Sequence, residues 1–374
     1  MQKKSNNALS NTVLILFLFA GGFILGLDMA AYTGDISNLA HKLIFYSAVI
    51  LTFLFALLLH TFIHEAGHLV FGLLSGYRFS SFRIFSLMLL NDDGHLTFKK
   101  LKIAGTAGQC LMAPPETDTP ENVPFVLYNL GGALMNLIAS ALFILLYIIC
   151  KDVPYLSSFF LLLALGGALF AITNGLPRKN ATVCNDGANI EAIKSSPAAR
   201  RAFWMQLKVN AEGARGVRLR DMPDSWFIPP KNEELCEQIT CAASVIAVDR
   251  LMDLKDFEKA CEVARPLLSD GVPVLGLHRA LIVCNLIYIA LLEHRFSDCD
   301  ALMTKEQKKL MELLKDLPPV IRTQYAYSLL CKKDTEESDR ILAQFEKCAK
   351  SYPYSVDIES ERELIDLAKD RFTK

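Results

Sequence analysis

The sequence lacks an excess of charge of either sign. Its 374 residues carry 39 basic and 40 acidic side chains, which leaves a net charge of −1. Proteins that attract nucleic acid electrostatically present a basic surplus, so we expect no nucleic-acid partner. The length allows two or three domains.

The ten cysteines lack a regular spacing, and no two of them form a CxxC pair. A disulfide framework is typical of short secreted chains with closely spaced cysteines. Here seven of the ten thiols are scattered beyond residue 230. We therefore predict that the C-terminal part stays in a reducing compartment.

Charge is absent from four apolar stretches, in a chain that is 52% hydrophobic with a mean hydropathy of +0.28. The stretches cover residues 5–27, 43–63, 123–150 and 153–177. A helix needs about 20 residues to cross the hydrocarbon layer, so we predict four transmembrane helices in a lipid bilayer. The first stretch follows Lys3 and Lys4 and could be a secretory signal, but Asp28 fits a cleavage site poorly, which favours a retained anchor.

The basic residues around these stretches predict the orientation of the chain. With the N-terminus inside, the outer loops contain only Lys42 and Lys151. The inner loops then contain Lys3, Lys4, Arg78, Arg83, Lys99, Lys100, Lys102, Arg178 and Lys179. Cytoplasmic loops carry the excess of Lys and Arg, so we expect a multi-pass protein of the cell membrane whose N-terminus and C-terminal domain are cytoplasmic.

The second stretch runs into the sequence HTFIHEAGH, residues 60–68. A helix presents His64 and His68 on one side because they are four residues apart. Two imidazoles in this arrangement can take two corners of a tetrahedral zinc site, and Glu65 can accept a proton from the attacking water. HExxH is short enough to occur by chance, but ionisable residues at membrane depth are costly and usually functional. A buried polar cluster between helices is the alternative.

A third metal ligand should lie near the same membrane face, where the fourth stretch ends. The segment NDGANI follows it, and Asp186 could bind the metal while Gly187 permits a close backbone approach. An ordinary capped helix start explains the segment equally well. His60 lies about 12 Å from His68 along the helix axis, so we expect a polar residue between helices rather than a ligand.

The ordered motifs resemble the site-2 protease family of intramembrane zinc metalloproteases, peptidase family M50. The residues that match are His64, Glu65, His68, the GGALMN segment at 131–136, Asn174, Pro177, Asp186 and Gly187. The resemblance covers residues 43–192. It implies that His64, His68 and Asp186 bind Zn²⁺ and that Glu65 activates water. It also implies that Asn136 and Asn174 lie by the active site, where they could stabilise the oxyanion or the unwound substrate.

The sequence departs from the family pattern in two places. Ala133 stands where the family usually has proline, and eight residues separate Pro177 from Asp186, more than is usual. Asn180, Cys184 and Asn185 are polar alternatives close to Asp186. The loop at 77–122 is too short to hold the PDZ-like insertion found in some members.

This loop predicts a short β element near the site. Residues 79–103 form a predicted β-hairpin around the turn NDDG. The hairpin could pair with an unwound substrate by strand addition, or could only plug the site or lie on the bilayer surface. The low polarity of GTAGQCLM suggests that it re-enters the membrane, with Cys110 as a possible fourth ligand or inhibitory thiol. A catalytic zinc needs an open position, which argues against that ligand.

Beyond residue 191 the chain has no stretch of membrane length, and apolar residues recur at helical spacing. Paired helices there loosely resemble tetratricopeptide hairpins. We predict a membrane protease domain over residues 1–192, a linker over 193–234 and a cytoplasmic helical-hairpin domain over 235–374. The apolar run at 275–292 contains His278 and Arg279 and is expected to be a buried helix; His278 and His294 are expected to be ordinary helix residues.

The fold class predicted is an all-α polytopic membrane protein with a β-hairpin loop and a cytoplasmic helical domain. The leading function is a zinc metalloendopeptidase that cleaves a membrane-protein or peptide substrate in or near a transmembrane segment. The alternative is a non-catalytic membrane scaffold or degenerate protease that binds substrates through its helical domain. A membrane zinc hydrolase or transporter is a third option. The helical domain either binds a cytoplasmic protein partner or only caps the molecule.

Overall fold

The computed structural model describes residues 7–33, 38–92, 94–101, 106–153, 155–178 and 184–373, without the side chains of 31–33. Lys3, Lys4, Lys102, Lys179 and Asn180, on which some predictions rest, lie outside these ranges. Asp93 of the predicted turn does so too.

The described residues are mostly helical. The helices are α1 Ala8–Thr33, α2 Leu39–Leu74, α3 Val126–Ile149, α4 Leu156–Gly175, α5 Asp186–Lys194, α6 Pro197–Ala214, α7 Gln238–Leu254, α8 Phe257–Leu267, α9 Gly276–Leu292, α10 Phe296–Leu302, α11 Lys305–Leu313, α12 Pro318–Ala326, α13 Thr335–Ala349 and α14 Ser355–Thr373. The strands are β1 Arg78–Ile84, β2 Leu87–Asp92, β3 His95–Lys100 and β4 Gly108–Ala113. Short 3₁₀ turns and one π-helical turn, Tyr327–Lys332, lie between the helices.

Among the described residues, four helices are long and apolar enough to cross a membrane. They span Ala8–Ala30, Leu39–Leu74, Pro120–Ile149 and Leu156–Gly175. The prediction of four transmembrane helices is therefore confirmed by length and composition. The apolar helix α9 is shorter, and eleven of its 17 residues are buried, as expected for a core helix.

The buried residues of α2 follow one stripe of the helix. At 36 residues, α2 is about 54 Å long, well beyond the hydrocarbon thickness of about 30 Å. The stripe contains Ala56, His60, His64, Glu65, Gly67, His68 and Gly72. It faces α3 and α4, while Leu58, Phe62 and Leu73 are exposed on the other sides. The motif histidines therefore face protein, and the lipid-facing sides of α2 stay apolar.

The β element is larger than the predicted hairpin. Four antiparallel strands form one sheet in the order β3-β2-β1-β4. The β2–β3 pair is the predicted hairpin around 91–94. Residues 108–112 of the segment GTAGQCLM belong to β4, with Cys110 opposite Phe82. Its re-entry into the membrane stays a prediction. Short apolar runs fit several structures, and only the unpaired edge of β1 selects a strand here.

The segment predicted as a linker, residues 193–234, contains a packed helix in the described chain. Helix α6 occupies residues 197–214 and buries Phe203, Trp204 and Leu207 against Tyr77 and Met112 of the sheet region. Beyond it, the guanidinium of Arg218 forms ion pairs with Asp253 of α7 and Glu363 of α14. Buried aromatic area and paired charges thus hold this segment to the elements on either side. The domain boundaries at 192 and 235 stay a prediction.

The C-terminal helices share one apolar core, except for α11, whose Met311 packs in a smaller cluster with Cys284 and Val320. The shared core includes Val248 of α7, Ile287 and Leu291 of α9, and Phe345 of α13. The side chain of Arg322 is fully buried, and its guanidinium lies 4.5 Å from the ring centre of Tyr288. The prediction of helical pairs fits this region, and its tetratricopeptide-like character stays a prediction.

Candidate metal centre and active site

Three side chains from two distant parts of the chain converge. The Nε2 atoms of His64 and His68 lie 3.2 Å apart. Asp186 Oδ2 lies 3.1 Å from Nε2 of His64 and 3.5 Å from Nε2 of His68. These three atoms all lie within 4.8 Å of one another and form the group that could hold a metal ion among the described residues. The structure thus brings together the three residues predicted as ligands.

The size of this triangle fits a zinc ion. Neighbouring ligands placed 2.0–2.1 Å from a tetrahedral zinc are about 3.3–3.4 Å apart, close to the three observed separations. Asp186 Oδ2 is buried and has no hydrogen-bond partner in the described chain beyond these imidazoles. Burial would raise the pKa of the Asp186 carboxyl, but His68 and His64 outweigh it and hold that pKa well below its usual range. The carboxylate is therefore ionised, as a cation site requires.

Asn185 places Asp186 at the end of α4. Its amide nitrogen donates to the carbonyls of Thr173 and Leu176, at 2.7 and 2.6 Å. Its Oδ1 accepts from the backbone N–H of Ala188 and of Arg178, at 3.0 and 2.9 Å. The first pair ties α5 to α4, and the bond from Ala188 caps α5. Because Arg178 and Asn185 are joined directly, the long Pro177–Asp186 spacing does not keep Asp186 from the histidines.

Gly187 permits a close approach between two helices. A Cβ built at Gly187 would lie 2.4 Å from the Gly175 carbonyl oxygen. The glycine therefore lets α5 begin against the last turn of α4, and an approach of its backbone to a metal stays a prediction.

Hydrogen-bond partners at the two Nδ1 atoms, on the side away from Asp186, orient the imidazoles of His64 and His68. Nδ1 of His68 lies 2.9 Å from the Tyr128 carbonyl oxygen, which can only accept. His68 therefore donates from Nδ1, and the neutral imidazole then presents its Nε2 lone pair to a metal. Nδ1 of His64 lies 3.2 Å from the amide nitrogen of Asn136. A Cβ at Gly132 would be 2.4 Å from Cε1 of His64, so α3 must carry glycine where the ring packs.

Glu65 lies beside the ligands, against the sheet. Glu65 is only 7% exposed. A Cβ built at Gly108 of β4 would be 2.5 Å from Oε1 of Glu65, so the strand lies directly against this side chain. The carboxylate is not part of the three-ligand cluster. Its position between β4 and the ligands leaves it available as a proton acceptor.

The two predicted asparagines have different surroundings. Asn136 is fully buried and contacts His60 and His64 through its two amide atoms. Asn174 donates to the Phe170 carbonyl one turn back and lines the cavity in front of the ligands. A role of either amide at the oxyanion stays a prediction.

A cavity of about 580 Å³ opens in front of His64, Glu65, His68 and Asp186. One wall is β4 with the residues before it, from Thr106 to Leu111. Another wall comes from the C-terminal helices, whose lining residues are Gln238, Ile239, Ala242, Leu275 and His278. Sequence reasoning missed this wall, because no local pattern connects residues so far apart in the chain.

The cysteines near the site do not join the ligand cluster. Burial raises the pKa of the Cys110 thiol well above its usual range, and Cys110 is not in the three-residue group. The Cys184 thiol donates to Oε1 of Gln238 at 2.8 Å. His60 contacts Asn136 and Leu163, as expected of a polar residue between helices.

The comparisons with known proteins agree with this geometry. The family model for peptidase family M50 matches residues 52–345, more than three quarters of the chain and well beyond the motifs themselves. No curated protein and no solved structure matches the chain. The protein therefore belongs to peptidase family M50, the site-2 protease family.

Proposed function

We propose that this protein is a zinc metalloendopeptidase that hydrolyses a peptide bond in or near a transmembrane segment of its substrate. Family membership supports a metalloprotease in general. The observation that carries the proposal is the convergence of His64, His68 and Asp186 within 4.8 Å, with Glu65 alongside and a cavity in front.

His64, His68 and Asp186 would hold the zinc. Bound there, the ion would supply Lewis-acid polarisation of the scissile carbonyl and acidify the attacking water. Glu65 takes the proton of that water and delivers it to the leaving amine as the peptide bond breaks. The burial of Glu65 beside β4 supports this role in proton transfer. A carboxylate that is shielded from bulk water exchanges its proton with the reacting groups.

The substrate strand would add to β4. This strand is the last in the order β3-β2-β1-β4, and no described strand pairs with its outer edge. It also lines the cavity and contacts Glu65. Leu87 and Leu89 of the predicted hairpin belong to β2, inside the sheet, and offer no free edge. An unwound peptide paired with β4 would present its backbone to Glu65 and the ligands.

Strand addition is tested on the substrate, so that the enzyme stays intact. A model substrate is methylated at single backbone nitrogens on either side of the scissile bond. Each methyl removes one N–H donor, so cleavage should fall steeply at alternate positions. A smooth, position-independent effect would reject pairing with β4.

The central test is Glu65→Gln in detergent-purified protein, with zinc content and peptide cleavage measured together. We expect about one zinc per chain and loss of cleavage. Asp186→Ala should lose the zinc itself. A cleaving Glu65→Gln variant would reject the mechanism, and a wild type that binds zinc but cuts no substrate would favour the scaffold.

We also propose that the N-terminus and the C-terminal helices are cytoplasmic. Cys236 is exposed and lies after the fourth span, whereas Lys151 lies between α3 and α4. A membrane-impermeant maleimide should reach Lys151→Cys in intact cells and Cys236 only after permeabilisation. The reverse pattern would invert the topology. A protein partner of residues 235–374 is a further proposal, tested by crosslinking from Cys236.

A further inference from the structure

We propose that His60 and Asn136 are a positioning pair that sets the tautomer of His64, so that its Nε2 lone pair points toward the metal position. The inference rests on the proposed metal site and concerns residues behind the ligands. It is carried by three contacts that form a continuous chain across α4, α2 and α3.

The chain begins at a backbone carbonyl of α4. Nε2 of His60 lies 2.8 Å from the Leu163 oxygen, and Nδ1 of His60 lies 2.8 Å from Oδ1 of Asn136. Nδ2 of Asn136 lies 3.2 Å from Nδ1 of His64. Donors and acceptors match along the whole chain only when a 180° rotation of the amide exchanges its oxygen and nitrogen. His60 and Asn136 are both fully buried, so water does not compete for these contacts.

Hydrogen-bond direction follows from the first link. A carbonyl oxygen can only accept, so Nε2 of His60 carries a hydrogen. A neutral His60 then presents Nδ1 as an acceptor, and only the NH₂ of Asn136 can donate to it. The Asn136 oxygen must then face His64 and accept from its Nδ1–H. This leaves Nε2 of His64 unprotonated on the side of Asp186.

The amide orientation with Asn136 Oδ1 toward His60 has a different consequence. Rotating the amide by 180° exchanges its oxygen and nitrogen at the same positions. With the oxygen toward His60, that imidazole needs hydrogens on both nitrogens and becomes a buried cation, which is costly without a paired charge. The amide nitrogen then donates to His64 Nδ1, which puts the His64 proton on Nε2, against Asp186. That arrangement opposes metal binding.

His68 does not need such a pair. Its Nδ1 faces the Tyr128 carbonyl, at 2.9 Å, and a carbonyl leaves one choice. His64 instead faces an amide that can present either atom. His60 removes that ambiguity, because its own partner on α4 is a carbonyl.

The helices make room for the pair. A Cβ at Gly167 of α4 would lie 2.5 Å from Cε1 of His60 and 2.3 Å from the hydroxyl of Ser140. Ser140 offers a matched control, because it also is buried on α3 and donates to the Ala164 carbonyl of α4 at 2.9 Å. It has no contact with His64.

The experiment measures zinc affinity by chelator competition and the visible spectrum of the cobalt(II) form. His60→Phe keeps an aromatic ring and removes both hydrogen bonds, so zinc affinity should fall about 10- to 100-fold and the cobalt bands should shift. His60→Gln can donate to Leu163 and accept from Asn136, and should restore most of the affinity. Ser140→Ala should bind zinc like the wild type.

Zinc affinity and a cobalt spectrum of wild-type character in His60→Phe would overturn the proposal. An equal loss in Ser140→Ala would also overturn it, since packing would then explain the effect. If His60→Phe does not fold, Asn136→Leu and Asn136→Asp decide: only the aspartate keeps an acceptor for His64, so equal affinities would reject the pair. A wild type without zinc would instead contradict the proposed function.

Discussion

Asp186 Oδ2 lies 3.1 Å from Nε2 of His64 because Asn185, one residue earlier, joins the start of α5 to the end of α4. The ligand is thus held by the residue beside it rather than by its own helix. The family spacing between proline and aspartate is not needed for this, since four hydrogen bonds of Asn185 set the position.

Replacing Asn185 with alanine should therefore weaken both fold and site. Loss of the cap and of two part-buried hydrogen bonds should lower the free energy of unfolding by about 2 kcal/mol, and zinc affinity should fall with it. The measurements are thermal unfolding in detergent and chelator competition. Ser196→Ala is the matched control, because Ser196 caps α6 in the same way and lies away from the ligands; it should lose stability and keep zinc. Unchanged zinc affinity in Asn185→Ala would contradict the role of Asn185 in positioning Asp186.

Gly132→Ala should disrupt the metal site through packing alone. The new methyl would meet the His64 ring at 2.4 Å, so the ring or α3 must move. We expect at least about tenfold weaker zinc binding, the size of effect that outer-shell changes produce. Gly26→Ala in α1 meets nothing within 4 Å and should bind zinc normally. Wild-type zinc binding by both variants would show that the ring has space to relax.

His278 should affect the substrate and leave the metal unchanged. It lines the cavity from α9, and its Nδ1 is buried without a hydrogen-bond partner among the described residues. We expect His278→Ala to raise KM for a peptide substrate several-fold while zinc content stays at the wild-type value. His294→Ala is the control, because His294 follows α9 at its far end and does not line the cavity. Loss of zinc in His278→Ala would contradict a role of His278 that is limited to the substrate.

The C-terminal helices should become less stable as pH rises. Asp249, Asp357 and Glu361 line a second cavity of about 280 Å³. Burial, reinforced by the neighbouring carboxylates, raises the pKa of Asp357 to about 7. Burial raises that of Glu361 to about 7 and that of Asp249 to about 6, although Arg322 opposes the shift in both.

These carboxyls bind protons more tightly in the folded protein than in the unfolded chain. Their contribution to the free energy of unfolding is therefore most favourable below about pH 4 and falls until about pH 7. Asp357→Asn should gain about 2 kcal/mol over the wild type at pH 8 and almost nothing at pH 4. Apparent melting temperatures across this range test the difference. The exposed Asp221→Asn should show no such trend, and a gain independent of pH in Asp357→Asn would point to another cause.

Local pattern predicted a large part of this molecule. The four apolar stretches became four long helices, and the four-residue spacing of His64 and His68 put both on one face of α2. Both results depend on neighbours in sequence, on hydrophobicity and on the helical period. The strand at 108–113 was not predicted from local pattern. A six-residue apolar run becomes a strand only if an edge such as that of β1 is free to pair with it.

The sequence by itself determined the spans, the zinc-type motif and, through the ordered motifs, the family. The resemblance to that family then predicted His64, His68 and Asp186 as the residues that would bind a metal. Tertiary structure alone decided that residues 197–214 pack as a helix, that β4 lies against Glu65, and that α7 and α9 wall the cavity. It also decided that His60 and Asn136 meet behind His64. The reason is physical: these contacts join residues far apart in the chain, and burial and hydrogen-bond partners at such distances leave no periodic signal in the sequence.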